Sequence, residues 1–170
     1  MKLIRFGTEG DEKPGIQLED NRIDVSAFVE DYNEKFFETN GLERLKVWLE
    51  RNEGDCPIID DSVRLGSPIA RPSKLVCVGL NYAKHADEAG MKVPNEPVLF
   101  FKSTTAIVGP NDPVVIPKNS KKTDWEVELA IVIAKKASYV ALEDAEDYIA
   151  GYVLHNDVSE RAFQIEKEGQ

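Results

Sequence analysis

Apolar residues recur at every second position through Thr123–Ile133, the run TDWEVELAIVI. That period predicts one long β-strand. Trp125, Val127, Leu129, Ile131 and Ile133 share one side; Glu126, Glu128, Ala130, Val132 and Ala134 share the other. Two carboxylates thus leave one face, roughly 6.5–7 Å apart along the backbone. The rest of that face is apolar, which predicts that it is covered. Paired carboxylates on a covered face repel and lose hydration unless a cation or hydrogen-bond donors meet them. A hard divalent metal is the simplest such partner. The plainer reading is an edge strand whose glutamates face water.

The same patterns order the rest of the chain. KLIRF (2–6), GIQLE (15–19) and RIDVS (22–26) predict short strands of a meander. Gly41–Asn52 places Leu42, Leu45, Trp48 and Leu49 on one helical stripe that packs on the meander. Residues 52–71, rich in Asp, Gly, Pro and Ser, read as a connector. A small N-terminal α+β module is therefore expected over 1–70 and a second unit over 71–170. In the second unit LVCVGLN (75–81) predicts a buried strand and residues 82–90 a short helix. PVLFFKS (97–103), AIVG (106–109) and PVVIP (113–117) predict strands, and residues 142–149 a helix. GYVLHND (151–157) predicts a strand, and 159–170 a helix capped by Ser159. Fold class is therefore mainly β with short helices, α+β.

Composition narrows the function. The chain has 170 residues, 42% hydrophobic, with a formal net charge of −10. A core is affordable, while nucleic acid and anionic membrane surfaces are poor partners for so acidic a chain. The two cysteines, Cys56 and Cys77, have no metal-ligand spacing, and Cys77 sits in an apolar run. MKLIRFGTEG lacks the apolar stretch of a signal peptide, so a cytoplasmic protein is expected.

Several side chains could carry chemistry. Asp157 ends an apolar strand and is the third acid that could join Glu126 and Glu128 in an oxygen-only set suited to Mg²⁺ or Mn²⁺, or to Ca²⁺. Its plainer role is a cap for the helix that follows. His85 and Glu88 stand at i, i+3, where a carboxylate can orient an imidazole for activating water; a surface contact is the ordinary alternative. His155 beside Asp157 suits a supporting role. Arg161 and Gln164 follow Asp157 at +4 and +7 and could grip a substrate carboxylate, or simply line a solvated helix face. Lys102, closing the PVLFFK strand, adds only a weak positive signal.

In chain order, GLNYAKHADE, PVLFFKSTTAIVGPND, DWEVEL and HNDVSERAFQ resemble the fumarylacetoacetate hydrolase family, from about residue 70 onward. They look most like bacterial two-domain members that cleave diketo sugar acids. The resemblance implies a mixed β-sandwich or β-roll core, a divalent metal and a homodimer. It places metal ligands on Glu126, Glu128 and Asp157, a water-activating dyad on His85 and Glu88, and substrate contacts on Arg161 and Gln164. Family chains run on past the position of Gln170, so the C-terminal part of that core is expected to be lacking. The implied reaction is metal-dependent hydrolysis of a C–C bond in a 2,4-diketo acid. Tautomerisation, isomerisation or decarboxylation of a 2-oxo acid on the same site is the enzymatic alternative, and a non-catalytic metal-binding piece is the third.

Overall fold

The computed structural model describes residues 1–88 and 90–167, apart from the His85 side chain. Strands β1 (Lys2–Phe6), β2 (Lys13–Gln17) and β3 (Arg22–Asp24) form the expected meander. The short β4 (Ile58–Ile59) and β5 (Leu65–Gly66) extend it to an antiparallel sheet of order β4-β3-β2-β1-β5. On it packs α2 (Gly41–Asn52), preceded by α1 (Glu34–Glu38). Alpha-1 has no amphipathic period to announce it, but Asn33 caps it and Phe36 and Phe37 are buried. Ile16, Ile23, Val25, Tyr32, Phe36, Phe37, Leu45 and Cys56 form the core, with Leu42, Trp48 and Leu49 partly buried against it. Gly41 allows the close approach of α1 and α2: a Cβ there would lie 2.3 Å from the Phe36 carbonyl oxygen.

The segment from residue 70 onward is built of hairpins. Strands β6 (Val76–Gly79) and β7 (Val98–Phe101) pair antiparallel, with α3 (Ala83–Glu88) between them. Val76 and Val78 are exposed, so β6 is covered on one side only, not buried as its apolar run suggested. The predicted strands at 106–109 and 113–117 are absent: a short 3-10 turn covers Thr104–Ala106 and 113–117 has no regular structure. Prolines at 110, 113 and 117 remove ladder donors from that stretch.

The long central strand is broken. Beta-8 (Thr123–Asp124) and β9 (Val127–Ile133) flank Trp125 and Glu126, and their partners are β10 (Ile149–Asn156) and β11 (Ser159–Glu160). Asn156 pairs with Val127 and Ser159 with Asp124, so both ladders keep one register across the break. Leu142–Tyr148 is a 3-10 helix. Ser159 lies in β11 and caps nothing; Ala162–Glu166 is a single π-helical turn.

One side of β9–β10 is covered and the other is open. Val132 and Ala150 rest on the core beneath the N-terminal sheet. The opposite side, with Trp125, Val127, Leu129, Ile131, Ile133, Tyr152 and Leu154, is exposed, Leu129 at 62%. The glutamate-bearing side is thus the covered one, as expected. No helix among the described residues is long and apolar enough to cross a membrane.

Candidate functional site

The broken strand pair sets out the acids. Glu126 lies in the break just before β9 and Glu128 two positions on within it, and Asp157 faces Glu126: its N–H donates to the Glu126 carbonyl at 2.9 Å. Residues opposite each other in an antiparallel pair project to the same side. Alternating burial agrees, since Glu126, Glu128, Ala130, Val153, His155 and Asp157 are covered while Val127, Leu129, Leu154 and Asn156 are exposed. His155 stands opposite Glu128 in the ladder. At the break, the Asn156 side-chain oxygen accepts the Glu126 N–H at 3.2 Å, satisfying a donor that the ladder leaves free.

Asp157 is only 5% exposed. Its Oδ1 meets the Lys102 ammonium as an ion pair, yet takes no directed hydrogen bond. Lys102 follows β7 and also donates to the Val158 carbonyl at 2.8 Å and Ser159 Oγ at 3.1 Å. Arg161 spans the other acids. One terminal nitrogen lies 2.6 Å from Glu126 Oε1 and donates to Gln164 Oε1 at 2.8 Å, while Nε donates to Asp124 Oδ2 at 3.1 Å. Burial works against the Arg161 charge, but Asp124 and Glu126 outweigh it and hold the guanidinium above its usual range. Cys77, on the covered side of β6, feels the same cluster. Burial and the Asp157 charge raise its thiol, Lys102 opposes, and Glu128 adds to the rise.

The structure therefore brings Glu126, Asp157, Arg161 and Gln164 into one neighbourhood and adds Lys102 and Asp124. Lys102 was legible only as a lone base closing an apolar strand; its partner lies fifty-five positions on, and no local pattern links the two. Glu88 is exposed on α3. The His85 side chain lies outside the described residues, so the contact within the His85–Glu88 pair does too.

Among the described residues, no three or more His, Cys, Asp or Glu side chains are gathered closely enough to hold a metal ion. Lys102 and Arg161 take up Asp157 and Glu126 instead. The donor set still fits a hard divalent cation. It is oxygen-only, it leaves one side of one ladder, and its buried member, Asp157, already holds a cationic group in the Lys102 ammonium.

Comparisons with known proteins add the following. The family model described as fumarylacetoacetate (FAA) hydrolase, C-terminal, matches residues 74–170. A Burkholderia multivorans protein whose provisional name is hydrolase is 49% identical over the whole chain. The chain spans 60% of that relative's length. The crystal structure of maleylpyruvate hydrolase from Sphingobium sp. SYK-6, in complex with manganese(II) and pyruvate, superposes with a TM-score of 0.78 at 27% identity, over 95% of this chain and 60% of that one. The 5-carboxymethyl-2-hydroxymuconate delta-isomerase of Mycobacterium smegmatis superposes with a TM-score of 0.66 at 30% identity, over 100% of this chain and 58% of that one. With the ordered motifs, the broken acidic ladder and a model match over more than half its length, this chain belongs to the fumarylacetoacetate hydrolase family.

Proposed function

We propose that the whole protein hydrolyses a C–C bond in a 2,4-diketo acid, an acylpyruvate or a diketo sugar acid, with a divalent cation. The observation that carries this reading is the acidic ladder, in which Asp157 faces Glu126 beside Glu128 and each of two carboxylates draws a cationic side chain. The likeness to an enzyme crystallised with manganese(II) and pyruvate supports it.

In this scheme Glu126, Glu128 and Asp157 hold Mg²⁺ or Mn²⁺, with Ca²⁺ a third choice. Bound there, the cation supplies Lewis-acid stabilisation of the negative charge that develops on the 2-oxo-acid end. Arg161, steadied by Gln164, grips a substrate carboxylate; its fork suits a planar anion. His85, oriented by Glu88, takes a proton from water, and the water oxygen adds to the distant carbonyl. The C–C bond then breaks, its electron pair stays with the 2-oxo-acid fragment, and that fragment recovers the proton. Two acids leave. Residues 1–70 act as a supporting module, residues 71–170 carry the site, and the protein works as a homodimer in the cytoplasm.

A second reading is favoured by the isomerase likeness: the same residues would bind a 2-oxo acid and move a proton without cleavage. Product analysis separates them. Incubating the intact protein with Mn²⁺ and acetylpyruvate should yield acetate and pyruvate; one rearranged product would favour the isomerase. Folded protein that binds Mn²⁺ and converts no diketo acid would favour the non-catalytic alternative.

A further inference from the structure

Tyr82 does two jobs at once. Its backbone carbonyl accepts the Ala86 N–H at 3.1 Å, which starts α3. Its hydroxyl donates to the Val127 carbonyl at 2.9 Å, across 45 positions of sequence. Val127 is the residue between Glu126 and Glu128. Because the Glu126 carbonyl is turned toward Asp157, the next carbonyl in the strand points the other way, to the edge of β9 away from β10. Tyr82 therefore occupies an edge acceptor beside the acids, and the chain enters α3 one residue later.

A helix of six residues has no stability of its own. Among the described contacts, α3 has two anchors: the fully buried Ala86 methyl and the Tyr82 hydroxyl. Ala86 supplies packing without direction. The hydroxyl is directional, because hydrogen bonding weakens steeply with angle. The turn before α3 is constrained as well. Leu80 has a φ of 53°, a left-handed backbone that a leucine adopts only where the surroundings impose it. The chain is thus bent sharply out of β6 and pegged to β9 before α3 begins.

We infer that Tyr82 is a positioning residue: its hydroxyl sets the distance between α3, which carries His85 and Glu88, and the strand that carries Glu126 and Glu128. The inference rests on the proposed function for its chemical meaning, but the tether stands independently. A misplacement of about 1 Å between groups that must act together costs up to about 100-fold in rate. Losing the hydroxyl should therefore appear in turnover, not in metal binding, since Tyr82 touches the strand through a backbone atom and no carboxylate.

The test is Tyr82→Phe in the intact protein, read by amide exchange, by Mn²⁺ titration with electron paramagnetic resonance, by thermal melting, and by acetylpyruvate turnover. We expect amide exchange in residues 83–88 to rise about tenfold. Mn²⁺ affinity and KM should stay within about twofold while kcat falls about tenfold or more. Unchanged exchange in 83–88, or unchanged kcat in an active enzyme, overturns the inference. A fall in kcat that tracks weakened Mn²⁺ binding and a lowered melting temperature also overturns it, because the hydroxyl would then be merely structural. Wild-type protein that neither binds Mn²⁺ nor turns over substrate would reject the proposed function instead, and the exchange measurement alone would then decide the tether.

Discussion

Asp157 and Glu126 are backbone partners whose side chains answer to different cations. The Asp157 N–H donates to the Glu126 carbonyl at 2.9 Å, yet the Asp157 carboxylate meets Lys102 and the Glu126 carboxylate meets Arg161. The ladder brings the acids together, and each charge is answered from a different element: Lys102 beyond β7, Arg161 beyond β11. Burying one carboxylate beside another is tolerable only with such compensation.

Removing the Lys102 charge should expose that dependence. Lys102→Met leaves the Asp157 carboxylate buried beside Glu126 without its ion pair, and should cost about 2–3 kcal/mol of stability. If the acids bind a divalent cation, Mn²⁺ should raise the melting temperature more in the variant than in the wild type, because the added cation replaces the lost one. Calorimetry with and without Mn²⁺ checks both parts.

The acids themselves should differ from their neighbours in metal binding. Glu128→Ala and Asp157→Ala should each weaken Mn²⁺ binding by about tenfold or more, whereas Glu88→Ala should leave it within about twofold. Isothermal titration distinguishes these outcomes, and equal effects from all three would reject the assigned ligand set.

Acid should loosen the grip between the N-terminal sheet and the loop after β7. Arg64 donates to both oxygens of Asp112, at 2.8 and 2.6 Å, and to Glu12 at 2.9 Å. The Gly109 N–H also donates to Asp112, and a Cβ on Gly109 would lie 2.2 Å from the Leu65 carbonyl oxygen. The Arg64 and Gly109 hydrogen bonds hold the Asp112 carboxyl below its usual range. Burial pushes Glu12 up, but hydrogen bonds from Arg64 and from its own backbone outweigh that and leave it lowered. Both folded-state values lie below the unfolded ones. Their stabilisation is therefore complete above the ordinary carboxylate range, about pH 4, and is lost as pH falls through the depressed folded values. Denaturation at a series of pH values should show a steeper acid limb for the wild type than for Asp112→Asn. Trypsin should also cut Asp112→Asn faster at Lys118, Lys121 or Lys122.

The core makes a simpler prediction. Leu45 is fully buried under the N-terminal sheet, so Leu45→Ala should cost about 2–5 kcal/mol. The buried Tyr32 hydroxyl donates to the Gly15 carbonyl at 2.9 Å, so Tyr32→Phe should cost about 0.5–1.5 kcal/mol, the net worth of one hydrogen bond. Urea titrations of the two variants check the order of these effects.

Period and spacing made much of this architecture legible. The two-residue period of β1 and of β9, and the helical stripe of α2, each follow from burying one face of a regular element, so they are written locally. The same period put Glu126 and Glu128 on one face. It failed at 106–109 and 113–117, where Val and Ile runs look like strands but no partner strand pairs with them. It failed again at Trp125 and Glu126, where the alternation continues but regular strand does not, although the Glu126 carbonyl still accepts from Asp157. Beta propensity describes a surface that fits a sheet; a sheet also needs a second strand.

What the chain determined by itself was the set of elements and the side of β9 on which the acids stand, because both depend on backbone geometry over a few residues. Tertiary structure decided which charges answer those acids and where α3 is pegged. Lys102 reaches Asp157, Arg64 reaches Asp112 and Tyr82 reaches Val127 across 45 or more positions of sequence. Such contacts arise only when the hairpins are laid side by side, since a hydrogen bond or ion pair depends on distance in space and no local spacing encodes it.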